Sequence, residues 1–223
     1  GSSQSIIQEQ IAYQNGWGLD SIPLNVAIWQ PASEDQRSGG TRHRTFAIRP
    51  SDLDASDWGY LLGLDILQDR MGQLLNDAFQ KVTVEGWSSS GRTYSPDTDY
   101  SLEDLVRCIR DDEEIQASYQ NETKRAVVQQ LSVYVRNPLF SSSGTDISEL
   151  LKPGVMSVLA MNKLDDSLRL VLIISIIRRI MRARIVASEQ EKDLLIRGNE
   201  MTLDERRAIE SELENAIPPC WIA

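Results

Sequence analysis

The chain has 223 residues, of which 41% are hydrophobic and 25% are charged. These proportions are typical of a globular protein with a sizeable core, and they exclude disordered, collagen-like and disulfide-rich classes. With 33 acidic and 23 basic residues, the formal net charge is −10, which argues against non-specific nucleic-acid binding by the whole surface. Two cysteines far apart in sequence predict no disulfide framework and a reducing, cytoplasmic location. The longest apolar run, 170–177, is far shorter than the roughly 18 residues of a membrane span, so we expect no membrane partner.

The first region, 1–50, combines a predicted helix with two short strands. Residues 4–14 have isoleucines at helical spacing, and two glycines follow as a stop signal. Residues 24–29 and 45–49 are short apolar runs, each followed by a proline, which is typical of strands. The polar stretch 33–41 between them is predicted to be a loop.

The second region, 51–140, has the hydrophobic period of helices. Helices are predicted after Ser51 or Asp54, over 66–84, from Ser101 to Asp112, and from Asn121 to the proline at 138, with capped starts at Ser101 and Asn121. Residues 86–99 are rich in Ser, Gly, Pro and Asp and are predicted to form a loop. The acidic run 111–114 is predicted to be a solvated turn. We interpret the region as a helical-bundle insertion between strands of a sheet.

The third region, 141–223, returns to an alternation of strand and helix. Residues 155–161 form a nearly continuous apolar run, as in a parallel strand covered on both faces. A long helix is predicted from about 165 to 186 or beyond, a last helix from Thr202 to about 215, and the opening of a further strand at 218–223. Strand, crossover helix and strand predict a right-handed parallel unit, so the expected fold class is α/β and helix-rich.

The sequence gives little support for catalytic chemistry within the chain. His43 is the only histidine and there is no Cys-x-x-Cys, which excludes most zinc sites and His-based triads. Asp97 and Asp99 resemble the start of a calcium loop, but the Gly and Glu that such a loop needs do not follow. We therefore predict neither catalytic residues nor a metal site.

Two polar residues follow the apolar strand of the third region directly. Asn162 and Lys163 would lie at the carboxyl end of a parallel strand, where ligands of α/β sheets bind, and they are candidate nucleotide-binding residues. The alternative is a simple turn and helix start, in which Asp165 and Asp166 interact favourably with the helix dipole.

A cluster of four arginines lies late in the long predicted helix. Arg178 and Arg182 are i,i+4 neighbours on one face and are candidate contacts to DNA or to another subunit, accompanied by Arg179 and Arg184. The alternative is that these cations suit the helix dipole and pair with Glu189 and Glu191.

A second basic segment lies in the first region. Arg42 and Arg44 flank His43 after two glycines, and a flexible basic loop of this kind can contact nucleic acid. The alternative is a solvated hairpin tip. We expect Trp29 and Trp58 to lie in the core rather than to stack on bases, since the five tryptophans form no ladder with Lys and Arg.

Three segments resemble the HerA/FtsK-type P-loop ATPases, in particular the HerA branch. The module ISELLKPGVMSVLAMNKLDD at 147–166 is similar to that family's leader turn, Pro-Gly, apolar strand, polar turn and long helix. The run PPCWIA at 218–223 resembles the opening of the Walker B strand, and 101–140 is similar to the family's helical insertion. The resemblance implies a partial RecA-like sheet, a hexameric ring of this protein, ATP and magnesium, double-stranded DNA in the pore, and a nuclease partner in DNA end processing or phage defence.

The chain departs from that family at the residues that carry catalysis. No G-x-x-x-x-G-K-[ST] occurs anywhere, and the family's Asp-Glu pair would follow Ala223. The resemblance therefore implies an internal segment that binds no cofactor and hydrolyses no ATP alone, because phosphoryl transfer needs both motifs. The alternative function is a non-enzymatic helical protein-interaction module, whose acidic surface suits a basic partner.

Overall fold

The computed structural model describes residues 11, 13, 16–18, 25–33, 43–198, 200–214 and 216–220, with His43 described by its backbone alone. The strands of this part are β1 (Val26–Pro31), β2 (His43–Phe46), β3 (Trp87–Ser89), β4 (Arg92–Tyr94) and β5 (Met156–Leu159). The helices are α1 (Ala55–Leu62), α2 (Arg70–Gln80, continued by a π-helical turn at Lys81–Glu85), α3 (Leu102–Asp111), α4 (Glu113–Ser118), α5 (Asn121–Val135), α6 (Ile147–Leu150), α7 (Asp166–Arg197) and α8 (Leu203–Glu214). Of the helix predicted at 4–14, only Ile11 and Tyr13 lie among the described residues, and both are helical.

A three-stranded parallel sheet in the order β2-β1-β5 confirms the α/β, helix-rich fold class. The central strand β1 pairs Trp29 with Leu159 on one side and Pro31 with Phe46 on the other. The prediction that residues 155–161 are covered on both faces is wrong, because Met156 is 52% exposed and Val158 is 37% exposed. One face of the sheet is therefore open along β5.

Within 51–140, polar side chains cap the starts of α1, α3 and α4, whereas α2 and α5 begin without a side-chain cap. Asp54 and Asp57 form a capping box at α1, and Ser101 and Asp104 form another at α3, as predicted for Ser101. The predicted cap at Asn121 is wrong, because α5 already includes Asn121 and its N-cap residue makes no side-chain hydrogen bond. The packing of α5 on α2 and α3 therefore fixes this helix start rather than a local signal.

A single aromatic and aliphatic core fills the helical region. Trp58 is fully buried, packs on Tyr134 and Phe140, and donates its indole N–H to the Tyr100 hydroxyl at 2.7 Å. The Tyr100 hydroxyl in turn donates to the carbonyl of Leu53 at 2.9 Å. Both tryptophans expected in the core are buried, since Trp29 is only 3% exposed.

A small hairpin replaces part of the loop predicted at 86–99. Strands β3 and β4 pair antiparallel, and the rings of Trp87 and Tyr94 stack with centroids 3.9 Å apart. The turn between them has Ser90 and Gly91 at positive φ. The loop prediction is wrong at β3 and β4, because the ring stacking stabilises strands of only three residues.

The two ends of the helical region lie side by side. Ile48 and Phe140 form a parallel bridge, with the Ile48 amide donating to the Leu139 carbonyl at 2.7 Å and the Ser141 amide donating to the Ile48 carbonyl at 3.0 Å. The chain thus leaves β2, passes through the helices and returns next to its point of departure.

The long helix α7 starts one residue later than predicted and continues to Arg197. It packs on α1, on α6 and on α8. Residues 218–220 form no strand, which differs from the predicted strand opening, and 221–223 lie outside the described residues. The carbonyl of Ile217 accepts a hydrogen bond from Arg184 at 2.8 Å, which fixes this stretch against α7.

Candidate functional site

The carboxyl ends of the three parallel strands lie at one edge of the sheet, and Asn162 and Lys163 follow β5 at that edge. Both are exposed and belong to the turn between β5 and α7. Parallel α/β sheets bind ligands at this edge, so the position suits the predicted nucleotide contact. The two residues stay predicted nucleotide contacts.

Hydrogen bonds from Arg169 and the capping residue Asp165 fix the turn that carries Asn162 and Lys163. Arg169 donates from Nη2 to the Leu164 carbonyl at 2.9 Å and from Nε to the Met161 carbonyl at 3.3 Å. Asp165 caps α7 by accepting from the Leu168 amide at 2.9 Å. Sequence reasoning missed Arg169, although an arginine in the first turn of a helix opposes the dipole and was a usable signal.

Arg178 is engaged inside the chain. Its guanidinium lies 2.8 Å from an oxygen of the buried Asp57 and 3.1 Å from Asp54, the two residues of the α1 capping box. The hydrogen bond that Arg178 donates to Asp57 raises the pKa of Arg178, and the charges of both carboxylates act in the same direction. The sequence analysis predicted Glu189 and Glu191 as ion-pair partners and did not predict Asp54 or Asp57. More than 120 residues separate Arg178 from Asp57, so no local pattern relates them.

Two further arginines of the cluster also have partners in the chain. Arg179 lies 3.1 Å from Asp52 and donates to the Thr145 carbonyl at 3.3 Å, while burial lowers its pKa despite the opposing charge of Asp52. Arg184 pairs with Glu191 at 3.2 Å, as the alternative interpretation predicted. These contacts attach α7 to the helical region and to the C-terminal stretch.

Arg182 differs from its neighbours. It is exposed, and no ion-pair partner lies near it within the described part of the chain. Of the four arginines it is therefore the one whose charge is most available to a phosphate or to another subunit. Its predicted role stays open to test.

The basic segment near β2 is described only in part. Arg44 is exposed, and its guanidinium lies 5.4 Å from the ring centroid of Trp29, a cation–π distance. Arg42 lies outside the described residues, as does the side chain of His43. The predicted DNA or subunit contact through Arg42 and Arg44 thus rests on Arg44 in the structure.

An ionic cluster around the buried Asp112 occurs where the sequence predicted a solvated turn. That prediction is wrong for Asp112, which is 2% exposed and caps α4 by accepting from the Ile115 amide at 2.9 Å. Lys81 lies 3.6 Å from Asp112 and 2.6 Å from Glu114. Burial lowers the pKa of Lys81, but the hydrogen bond to Glu114 and the nearby carboxylates more than compensate, so that its pKa is raised.

This cluster has the character of a structural element. Lys81 is paired with both carboxylates, and its raised pKa keeps it protonated. The adjacent Cys108 is fully buried, and burial together with the charge of Asp112 raises the pKa of its thiol to about 12. A thiol of this kind is no nucleophile near neutral pH. The cluster joins the π-helical turn after α2 to α4.

The described part of the molecule lacks a metal-binding cluster. Within it, no three His, Cys, Asp or Glu side chains converge as a metal site would require. No helix there combines the length and the apolar character needed to cross a bilayer. Comparison of the chain with protein-family models, with curated proteins and with solved structures gives no match.

Proposed function

We propose that this chain is a segment of a HerA-like, ATP-dependent DNA translocase, comprising its helical insertion and part of a RecA-like core. The observation that carries the proposal is the parallel sheet β2-β1-β5, whose strands β2 and β5 are separated in sequence by the helical region. The ends of that region meet at Ile48 and Phe140, as an insertion between strands requires.

The open face of the sheet supports a role as part of a larger core. Val26 and Met156 are paired in register and are about half exposed, although parallel sheets are normally covered on both faces. A segment that completes its sheet within a larger assembly accounts for this exposure. In that role the chain contributes subunit contacts and sheet structure, while phosphate-loop and Walker B residues elsewhere supply catalysis.

The candidate residues take distinct parts in this proposal. Asn162 and Lys163 face nucleotide or a neighbouring subunit at the carboxyl edge, and Arg182 with Arg44 faces DNA or another subunit of the hexamer. Arg178 acts through its ion pair with Asp57, which fixes the helix on which Arg182 lies. ATP and magnesium bind to the larger protein and not to this chain alone. A nuclease partner in end processing or phage defence belongs to the same proposal.

The proposal is tested by extending the chain along its gene in both directions. We expect a phosphate loop upstream and an Asp-Glu pair after Ala223, and ATP hydrolysis that double-stranded DNA stimulates. Lys163→Ala should lower that hydrolysis. Lys152→Ala, at an exposed lysine before the opposite end of β5, is the matched control and should leave it unchanged. A gene without either motif, or equal effects of the two variants, would overturn the proposal.

The interaction module remains the second candidate function, because one observation favours it specifically. The face of α7 that points away from the helical region is apolar and exposed along several turns. Large contiguous exposed apolar patches often mark interaction sites, whereas apolar residues that are exposed singly do not.

A further inference from the structure

Helix α7 has two apolar faces, and the other described elements pack on one of them. Its buried residues, which pack toward the rest of the chain, are Leu168, Val171, Leu172, Ser175, Ile176, Ile180 and Ala187. The opposite face exposes six large apolar side chains by 37–53% each: Leu170, Ile173, Ile174, Ile177, Met181 and Ile185. We refer to these six residues as the α7 stripe.

The spacing within the α7 stripe is that of a helix-pairing seam. Leu170, Ile174, Ile177 and Met181 follow one another at intervals of four, three and four residues, as the a and d positions of a heptad do. The eleven-residue separation of the first and last corresponds to about 17 Å along the helix. A seam of this pattern pairs with another helix rather than with a flat surface.

We propose that the α7 stripe pairs with the same stripe of a second copy of this chain, with the two helices antiparallel about a two-fold axis near Ile177. In that arrangement Leu170 faces the copy's Ile185, and Ile174 faces its Met181. The stripe is therefore complementary to itself, which is what an isologous interface requires. This proposal concerns a surface that uses neither nucleotide nor DNA, and it stands independently of the translocase proposal.

The antiparallel orientation follows from the residue that continues the seam. Arg184 lies three residues after Met181, at the next seam position. Parallel helices would bring the two Arg184 side chains, each held by Glu191 and by the Ile217 carbonyl, into the same space at the seam and would disturb those contacts. Antiparallel helices place each Arg184 near the copy's Leu170 instead, and they align the helix dipoles favourably.

The charges beside the stripe permit the approach of a second copy. Arg178 is neutralised by Asp57 and Asp54, and Arg184 by Glu191, all within one chain. Arg182 is the flanking cation without an ion pair among the described residues. In the antiparallel register the two Arg182 side chains are separated by nine residues of helix, about 13 Å, which exceeds the Debye length of about 8 Å at physiological salt.

The size of the stripe predicts a weak dimer. Six large side chains exposed to this degree present roughly 300–600 Å², the size of the largest apolar patch on a typical monomer. Stable complexes bury about 800 Å² on each partner, so the stripe falls short of that standard. We therefore expect association that depends on concentration over the micromolar range.

Sedimentation velocity across a concentration series tests the proposal. The wild-type chain should shift from monomer to dimer, and Ile177→Glu should weaken the association roughly tenfold or more, because it places two like charges at the axis. Val186→Glu is the matched control, since Val186 is 56% exposed on the same helix but lies about 160° around it from Leu170. Circular dichroism establishes that both variants remain folded.

Disulfide cross-linking then tests the orientation, in a background with Cys220→Ser. Mixed Leu170→Cys and Ile185→Cys chains should form the heterodimeric disulfide in preference to either homodimer. A wild-type chain that stays monomeric at every concentration, equal effects of Ile177→Glu and Val186→Glu, a ring-sized mass, or preferred Leu170→Cys homodimers would each overturn the proposal. Failure of the translocase proposal would instead appear in the gene sequence and in ATP hydrolysis, which this experiment does not measure.

Discussion

The helical region differs from the sheet and α7 in how far its apolar side chains are buried. Leu74, Leu105 and Leu131 in the helical region are fully buried against one another's helices. In the sheet, Val26 and Met156 are about half exposed, and the α7 stripe is exposed along its whole length. The helical region thus buries its apolar side chains in a core that it shares with the sheet and with the inner face of α7. The sheet and α7 also retain exposed apolar surface that suits a further partner.

The largest expected effect tests the tight burial of the side chains in the helical region. Leu105→Ala should lower the free energy of unfolding by about 2–5 kcal/mol, because it leaves a cavity among fully buried side chains. Met156→Ala in the open sheet face should lower it by less than about 1 kcal/mol, as is usual for surface substitutions. Urea unfolding of both variants measures the difference. Equal losses would mean that the sheet face is covered in solution.

A smaller effect is expected at the ion pair that joins the two regions. Asp57→Asn should lower the free energy of unfolding by about 2–3 kcal/mol, because it leaves Arg178 without its buried carboxylate. Glu210→Gln removes the carboxylate of the half-exposed pair with Arg206 and should cost at most about 1 kcal/mol. If Asp57→Asn lowers the free energy of unfolding no more than Glu210→Gln does, the Asp57–Arg178 pair does not contribute to the attachment of α7.

The smallest effect concerns Asp146, which caps the short helix α6, and how its contribution to the free energy of unfolding changes with pH. Hydrogen bonding from the Ser148 amide lowers the pKa of Asp146. A carboxyl whose pKa is lower in the folded state stabilises the protein above its unfolded pKa of about 3.9, and this stabilisation is lost as pH falls through the folded pKa. Asp146→Asn should therefore cost about 0.5–1 kcal/mol at neutral pH and less in acid.

Chemical unfolding at a series of pH values tests this expectation for Asp146. Glu149→Gln, at an exposed carboxylate of the same helix, is the control and should give a loss near zero at every pH. A loss for Asp146→Asn that stays constant from neutral to acid pH would contradict the assigned charge effect.

Much of the helical region was predictable from local signals. Ser101 and Asp104 stand at the spacing of a capping box, and apolar residues recur at helical intervals after them. The burial of Asp112 was not predictable in this way, because it depends on Lys81, thirty-one positions earlier in the chain. A run of acidic residues has the same local pattern whether it faces water or a distant lysine.

The sheet and the candidate site were predictable only in part. The three strands followed from apolar runs, and the run at 155–161 also indicated a parallel sheet. The crossover unit expected between that run and 218–223 is not observed among the described residues, because 218–220 form no strand. The position of Asn162 and Lys163 followed from the strand that precedes them. The open face of β5 did not follow, since an apolar run predicts burial without saying which element provides it. The partners of Arg178 are likewise set by tertiary packing across more than 120 residues.

A thermal melt with and without magnesium-ATP, with the molecular mass read on the same sample, tests most directly whether this chain provides contacts rather than catalysis. We predict an unchanged melting temperature, because the sequence contains no phosphate loop, and a mass between monomer and dimer that rises with concentration. Nucleotide at a hundred times its dissociation constant would otherwise stabilise the fold by about 2.7 kcal/mol. A shift of that size would contradict the account and place a nucleotide site within these residues.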